Sequence, residues 1–333
     1  MGIALAEIGD MPSELLAMGR PNPLPTLAAV GLAGAALFAI RAYRRDMARE
    51  RKKLAELGTA FAETPAGEIE YRSDGTGPPV LVLHGIWGGS DQGLINVGGI
   101  LDESIRRIVV SRFGYLRSPM PNNPTVVKQA NLFAALLDHL GLARTAIIAH
   151  SAGTTSALQF AIRYPDRVSA LVLVSPNAPG PVDLVPPPPL VGAAIFRASF
   201  VFWLLVSFLP KALHALMGVP RGLQLSDADK AFIARMARSI LPSSARAEGA
   251  LFDAYVGNPA VEFLPLEQVR APTLVVAAQD DPLALFANSA ALARSIPGAE
   301  LLSVERGGHM LLGQAGLVEP RIRAFLRRSG GTV

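Results

Sequence analysis

The most constraining feature of this sequence is the pentapeptide Ala-His-Ser-Ala-Gly at residues 149–153. It follows an apolar run, residues 145–148, and precedes a helix-like stretch, residues 154–164. A serine in that context is predicted to lie on a sharp turn from strand to helix, where small residues two positions away on either side are needed. Ala149, in place of the usual glycine, and Gly153 fill those positions. Ser151 is therefore a candidate nucleophile at the end of a strand.

An acid and a histidine follow Ser151 in the chain order that a catalytic triad on such a turn requires. A buried-strand pattern, residues 273–278, is followed closely by Asp280 and Asp281. Functional groups of open α/β sheets collect at the carboxyl ends of the strands, although an acidic pair on a loop can also be a solvated turn. His309 follows a second strand-like segment, residues 300–304, on a loop with two glycines. These residues are the candidate acid and base.

The remaining histidines are weaker candidates for the base. His84 and His150 lie inside motifs whose neighbours are expected to carry the chemistry, and His139 lies on a predicted helix beside an aspartate. His214 lies in an apolar segment with no evident partner. His309 therefore stays the preferred base.

Stabilising the charge that develops on a substrate carbonyl requires backbone N–H donors. Ala152, directly after the serine, is predicted to supply one. The second is expected from the loop that follows the strand-like residues 79–83, where Gly85 allows the backbone to approach the substrate closely. We expect Ile86 to donate it. Trp87 is either a wall of the substrate pocket or a plain core aromatic.

Together these motifs resemble the serine esterase and lipase type of α/β-hydrolase fold enzyme. The resemblance covers residues 59–328 and includes segments 111–115 and 164–168, which are typical of the family. It implies an α/β fold with a mostly parallel, doubly wound sheet. It also implies a triad in which Ser151 forms an acyl-enzyme, His309 acts as general base and then general acid, and Asp281 orients the imidazole.

Two details follow from the same resemblance. Asp281 is preferred over Asp280 because family members usually carry the acid directly before a proline-type turn. A serine at position 151, in place of aspartate, disfavours epoxide hydrolase and haloalkane dehalogenase chemistry.

The chain is predicted to contain one catalytic domain interrupted by an insertion. Apolar strands alternate with helices over residues 59–179 and 269–329, which indicates a parallel sheet covered on both faces. Residues 180–268, the cap segment, are predicted to be helical and are unusually apolar. The cap segment could form an apolar acyl pocket, face a membrane, or simply pack on the catalytic domain.

The amino terminus suggests a membrane anchor. After a tail, residues 1–23, the uncharged apolar run at residues 24–40 is just long enough to span a bilayer, and the basic residues 41–58 are predicted to be a juxtamembrane linker. The positive-inside tendency would leave the catalytic domain cytoplasmic and the amino terminus outside. A buried helix and a start codon assigned too early are the alternatives.

Composition narrows the expected partners. The formal net charge is only +4, and no basic patch interleaved with aromatic residues is seen, so membrane lipids are expected partners and nucleic acid is not. The chain has no cysteine, which excludes disulfides and thiolate metal sites. No clustered metal ligands or phosphate-binding loop are found, so neither a cofactor nor a metal is expected. No sequence feature indicates an oligomeric state.

The leading hypothesis is hydrolysis of a carboxylic ester, of a lipophilic or lipid-like compound, by a membrane-associated enzyme. The same triad could cleave an amide, a peptide or a carbon–carbon bond, or support cofactor-free haloperoxidase-type activity. A hydrolase fold used as a membrane-bound binding protein without turnover is the third hypothesis, which the intact triad disfavours.

Overall fold

The computed structural model describes residues 23–181 and 185–329, so the predicted tail, residues 1–23, lies almost wholly outside the described part. The chain divides into two compact units, Met1–Asp46 and Met47–Val333. The second unit contains the sheet and all the predicted site residues.

The second unit is built on an eight-stranded sheet in the order β1-β2-β4-β3-β5-β6-β7-β8. The β1–β2 and β2–β4 pairs are antiparallel, and every pair from β4 to β8 is parallel. The predicted mostly parallel sheet is thus confirmed. The strands are β1 (Ala60–Thr64), β2 (Gly67–Asp74), β3 (Pro79–Leu83), β4 (Arg106–Val110), β5 (Thr145–His150), β6 (Val168–Val174), β7 (Thr273–Ala278) and β8 (Glu300–Val304).

Helices cover both faces of this sheet because its central strands are apolar on both sides. In β5, Ile147 and Ala149 belong to one buried cluster, which includes side chains of α3 and α4. Ala146 and Ile148 belong to the other, which includes side chains of α12. A strand buried on both faces reads as a continuous apolar run, as this one does. The helices outside the cap segment and the amino terminus are α2 (Ser90–Val97), α3 (Val126–His139), α4 (Gly153–Arg163), α11 (Phe286–Ser295) and α12 (Ala315–Arg328).

The described residues between β6 and β7 form helices and turns and add no strand to the sheet. A single π-helical turn, Asp253–Gly257, directly extends α9. These elements occupy the predicted cap segment. Its α-helices are α5 (Pro189–Arg197), α6 (Ser199–Phe208), α7 (Pro210–Leu216), α8 (Asp227–Ser239), α9 (Ala247–Phe252) and α10 (Asn258–Ala260).

The amino-terminal helix α1 (Pro23–Ala55) includes the predicted anchor, residues 24–40, and continues through most of the predicted linker. The side chains of residues 24–27 and 30 lie outside the described part. Among the residues searched, no single helix has the length and hydropathy of a membrane span, although the bent pair α5 and α6 passes when its two helices are taken together. The predicted anchor is not supported by this finding.

Candidate active site

Ser151 lies on the turn between β5 and α4 in a left-handed backbone conformation, with φ of 52°. A non-glycine residue rarely adopts this conformation, and surrounding contacts must hold it. The Ser151 N–H donates to the Val174 carbonyl at 3.0 Å, and the Ser151 carbonyl accepts from the Thr154 N–H and hydroxyl at 2.9 and 2.6 Å. The turn therefore holds the Ser151 side chain in one direction at the carboxyl end of the sheet.

Gly153 lets α4 begin this close to β3. A Cβ at position 153 would lie 2.5 Å from the His84 carbonyl oxygen and 2.8 Å from that of Leu83. Because both neighbours are backbone atoms, they could not move aside easily. This close approach, rather than a positive φ, accounts for the glycine two residues after the serine.

The structure brings Ser151, His309 and Asp281 into one hydrogen-bonded chain. Ser151 Oγ lies 2.9 Å from His309 Nε2, and His309 Nδ1 lies 2.9 Å from Asp281 Oδ2. Asp281 is 4% exposed and His309 is 8% exposed. Because a carboxylate accepts from Nδ1, that nitrogen carries the proton and Nε2 is free to accept the serine proton.

Asp281 is held as a carboxylate. Its Oδ1 accepts from the N–H groups of Leu283 and Ala284 at 2.8 and 3.0 Å. Burial raises the pKa of Asp281, but the charge of His309, its hydrogen bond and the two backbone donors outweigh burial, so the pKa lies below its ordinary value. The negative charge that would stabilise an imidazolium is therefore present at neutral pH.

The neighbouring Asp280 contacts the loop that carries His309 rather than its ring. Its carboxylate accepts from the N–H groups of Gly307 and Gly308 at 3.3 and 2.8 Å. On the other side, the His309 N–H donates to the Gly218 carbonyl, in the cap segment, at 3.0 Å. The two aspartates thus have separate contacts, and Asp281, the residue that the family resemblance favours, is the one that meets the His309 ring.

The predicted oxyanion loop, residues 84–90, lies against the nucleophile. A Cβ on Gly85 would lie 3.0 Å from Ser151 Cβ, so glycine allows the close approach. His84 Nε2 accepts from the Arg112 N–H at 3.1 Å, which leaves Nδ1 to donate to the Gly85 carbonyl at 2.7 Å. Burial and then the charge of Arg112 hold the pKa of His84 well below its ordinary value, so this ring is neutral.

The direction of the Ile86 N–H follows from the bonds to the Gly85 carbonyl. In a trans peptide the N–H points away from the carbonyl of the same plane. The Gly85 carbonyl accepts from His84, from the Gly88 N–H at 3.2 Å and from the Arg112 guanidinium at 3.3 Å. These donors fix the peptide plane and therefore the direction of the Ile86 N–H.

Two ion pairs, one buried and one partly buried, join this loop to the cap segment. Arg112 donates to the His84 carbonyl at 3.0 Å and forms a bidentate pair with Asp253 at 2.7 and 2.5 Å. Tyr115 donates to the same carboxylate at 2.5 Å. Arg246 donates to the Gly88 carbonyl and forms a second bidentate pair with Asp91, at 3.0 and 2.7 Å.

Sequence reasoning missed this network. Arg112 and Asp253 are 141 positions apart, and nothing in their local sequence pairs them. The pattern at residues 111–115 was noted only as typical of a family. The sequence pattern predicts residues 180–268 only as an apolar helical insertion, and it does not single out Asp253.

Trp87 connects the oxyanion loop to the cap helices. Its backbone has φ of 64°, and its carbonyl accepts from the Gln92 side chain at 3.1 Å. Its ring centroid lies 4.7 Å from that of Phe196 in α5 and 4.5 Å from that of Phe202 in α6. The residue is 9% exposed, and its role as a pocket wall stays a prediction.

His150, directly before the serine, packs behind the base. Its Nε2 lies 3.3 Å from the His309 carbonyl, and the two ring centroids are 5.1 Å apart. Burial, and then the charge of His309, lowers the pKa of His150 to about 4. This ring therefore stays neutral beside the reacting groups.

No group of three or more carboxylate or imidazole side chains within the described ranges is placed to hold a metal ion. The reactive groups that the structure does bring together are a hydroxyl, an imidazole and a carboxylate.

Comparison with known proteins agrees with this geometry. A sequence model described as the α/β hydrolase fold matches residues 78–315. The chain is 29% identical to a poly(3-hydroxyalkanoate) depolymerase of Ectopseudomonas oleovorans, over 75% of this chain and 84% of that protein. It is 31% identical to a 2-hydroxy-6-oxo-6-phenylhexa-2,4-dienoate hydrolase of Comamonas testosteroni, over 36% of this chain and 44% of that protein.

Among solved structures, an α/β hydrolase fold protein from Nakamurella multipartita is similar, with a TM-score of 0.68 and 29% sequence identity. The superposition covers 82% of this chain and 100% of the other.

Proposed function

Because this chain belongs to the α/β hydrolase fold family, we propose that it is a serine hydrolase that cleaves carboxylic esters through an acyl-enzyme. The observation that carries the proposal is the chain of 2.9 Å contacts from Ser151 through His309 to Asp281. A nucleophile, a base within reach of its proton and an acid that orients the base are the parts that acyl transfer needs.

In the first half of the reaction, Ser151 Oγ attacks the ester carbonyl carbon while His309 Nε2 takes the serine proton. The imidazolium that forms is stabilised by Asp281. The carbonyl oxygen becomes an oxyanion that accepts from the N–H groups of Ile86 and Ala152. Collapse of this intermediate breaks the carbon–oxygen bond, and His309 returns the proton to the departing alcohol.

In the second half, water attacks the acyl carbon as His309 takes one of its protons. The new tetrahedral intermediate expels Ser151 Oγ, which regains a proton from His309. The carboxylic acid leaves and the starting state is restored.

A lipophilic acyl group is the substrate class we favour. The depolymerase with 29% identity is named for a polymer of hydroxyalkanoates, whose repeating link is an ester. The cluster of Trp87, Phe196 and Phe202 places aromatic side chains next to the loop that carries Ile86. An apolar wall at this position would favour an apolar acyl chain.

Carbon–carbon bond hydrolysis is the second candidate. The hydrolase from Comamonas testosteroni is named for a dienoate that contains neither an ester nor an amide bond. Its similarity to this chain makes such a compound the second candidate substrate class. The shorter matched length makes this the less favoured proposal.

We also propose that the protein is membrane-associated through residues 24–40, with the catalytic domain cytoplasmic. The support is the sequence: an uncharged apolar run followed at once by the basic residues 41–53. Fractionation of cells that express the full chain tests this proposal. Recovery from the membrane pellet in carbonate is expected, whereas recovery in the supernatant would contradict it.

The catalytic proposal is tested by hydrolysis of p-nitrophenyl esters of increasing acyl length, with wild-type protein beside Ser151→Ala. Ser295→Ala, on the exposed face of α11, is the matched control. We expect wild-type and control to be active, with a preference for longer chains, and Ser151→Ala to be inactive. Equal activity in all three proteins would refute the proposal. If the wild-type protein cleaves none of the esters but does cleave 2-hydroxy-6-oxo-6-phenylhexa-2,4-dienoate, carbon–carbon bond hydrolysis is favoured instead.

A further inference from the structure

We infer that the outward side of α5, α6 and α7 is a docking surface for an anionic lipid bilayer. We call it the cap face, and it consists of Leu190, Val191, Ile195, Val201, Phe208, Leu209 and Leu216. The inference deepens the proposed function and rests on it, because a lipophilic ester would be met at such a surface.

The first observation is the exposure of large apolar side chains in these helices. Leu190 is 87% exposed, Val201 51% and Phe208 58%. Single exposed apolar residues are ordinary, but seven in and between three consecutive helices are more typical of a binding surface than of chance exposure.

The second observation is that α6 is apolar on both sides. Phe202 and Trp203 point inward and are buried, whereas Val201 and Phe208 point outward. A helix that is apolar all round belongs in a protein core or in contact with lipid. Because the inner side already packs on the protein, the outer side needs an apolar environment of its own.

The geometry of the pair favours lying in the interface over crossing the bilayer. Helices α5 and α6 together have the hydropathy and length of a span, but they are bent by 59° at their junction. Arg197 lies at that junction, where a straight span would bury its charge. An in-plane helix instead buries its apolar side at the headgroup boundary and leaves the charge among the headgroups.

The third observation is charge, and it selects anionic lipid. Residues 185–226 contain no aspartate or glutamate, while Arg197, Lys211 and Arg221 lie within them. All three basic side chains are exposed, and no ion pair to them is found in the described part of the chain. Unpaired cations around an apolar patch complement an anionic bilayer surface.

The cap face is close to the reactive groups. Phe196 and Phe202, on the inner sides of the same helices, contact Trp87, which follows Ile86 in the oxyanion loop. A lipophilic substrate that leaves the bilayer at the cap face would therefore need to pass only one layer of helices to reach the site.

The absence of cysteine makes the test direct, because a single introduced thiol can be labelled. In the full chain, Leu190→Cys carries an environment-sensitive fluorophore, and Leu317→Cys, on α12 and 53% exposed, carries the same label as the matched control. Both are mixed with vesicles of phosphatidylcholine alone or with phosphatidylglycerol. We expect a blue shift and quenching by doxyl-labelled lipid only for Leu190→Cys, and more with the anionic vesicles.

To test the apolar contacts, the label is moved to Ile195→Cys, and Leu190→Asp and Val201→Asp are added to the same chain. We expect these two changes to lower partitioning of the label into the vesicles by about tenfold or more. Arg197→Gln with Lys211→Gln should remove the preference for anionic vesicles. Cleavage of a short soluble ester should be unchanged in these variants.

A label at position 190 that stays in water while the protein sediments with vesicles would overturn the inference, because another segment would then hold the membrane. The proposed function fails separately, if the wild-type protein cleaves no ester while the label at position 190 still enters the bilayer.

Discussion

Breaking the buried ion pair of Arg112 and Asp253 should lower both the free energy of unfolding and the catalytic rate, and the two effects can be measured separately. The two side chains are 0% and 1% exposed. Asp253→Asn keeps the shape of the side chain but leaves the guanidinium without a counter-charge. Removing one partner of a buried pair costs about 3–5 kcal/mol, so we expect a loss of that size in the free energy of unfolding.

Activity should fall for a different reason. The same guanidinium donates to the carbonyls of His84 and Gly85, and the Gly85 peptide sets the direction of the Ile86 N–H. Loss of one oxyanion donor costs about 100- to 1000-fold in rate, and a misdirected donor should cost part of that, about 10- to 100-fold in kcat.

An apolar replacement separates the two effects. The triple variant Arg112→Met, Tyr115→Phe and Asp253→Leu removes the two charged side chains and the tyrosine hydroxyl together, leaving only the His84 and Gly85 carbonyls of this network. Replacing a buried ion pair by apolar side chains is often neutral for stability. We expect it to recover most of the unfolding free energy lost in Asp253→Asn while kcat stays low.

Urea unfolding and hydrolysis of a soluble p-nitrophenyl ester measure the two quantities on the same preparations. Asp227→Asn, which breaks an ion pair whose carboxylate is fully exposed, is the control and should change neither. A triple variant with wild-type kcat would refute the positioning argument. An Asp253→Asn protein with wild-type stability would refute the argument from buried charge.

Three further predictions concern the triad, the turn and pH. Asp281→Asn should lower kcat by about 1000- to 10000-fold because the wrong tautomer of His309 is favoured. Asp280→Asn should lower kcat by about tenfold or less, since the amide oxygen can still accept from the N–H groups of Gly307 and Gly308. Equal losses of kcat in the two variants, measured on the same ester, would contradict the separate contacts of the two aspartates. Gly153→Ala should destabilise by about 1–3 kcal/mol in urea unfolding because its Cβ meets the backbone of Leu83 and His84. Gly316→Ala, where a Cβ meets nothing within 4 Å, should be neutral or stabilising, and a similar result at both positions would refute the steric argument. The pKa of His150 is about 4 in the folded chain, against an ordinary value near 6.5. Between these two pH values the unfolded chain binds more protons than the folded chain. The free energy of unfolding should therefore fall as the pH is lowered from 6.5 towards 4. The free energy of unfolding lost through His150 is at most about 3 kcal/mol. His150→Gln should flatten the pH dependence of the urea midpoint, and an unchanged slope would contradict this role of His150.

The sheet and the chemical groups of the site could be predicted because their signals are local. A continuous apolar strand followed by small residues around Ser151 specifies a strand, a turn and a helix within a few positions. The choice of Asp281 over Asp280 depended on the family resemblance and not on local physics, because both side chains leave the same turn and only the folded loops decide which one meets His309.

The support of the oxyanion loop could not be predicted, for a different physical reason. It depends on contacts between distant segments, such as Arg246 with Asp91, which are 155 positions apart. A charged residue in an insertion is usually solvated, so no rule of composition or periodicity marks Arg246 or Asp253 as buried.

The two ion pairs that reach the oxyanion loop have a consequence for exchanging parts between related enzymes. Both cap-segment partners, Arg246 and Asp253, lie within one short stretch just after α8. A chimera that replaces residues 185–240 would change the surface presented to the surroundings and leave the loop's anchors in place. If the exchanged segment instead ended after Asp253, both Arg246 and Asp253 would be replaced by residues of the other enzyme. We therefore expect a chimera with the first boundary to be active and one with the second boundary to be inactive.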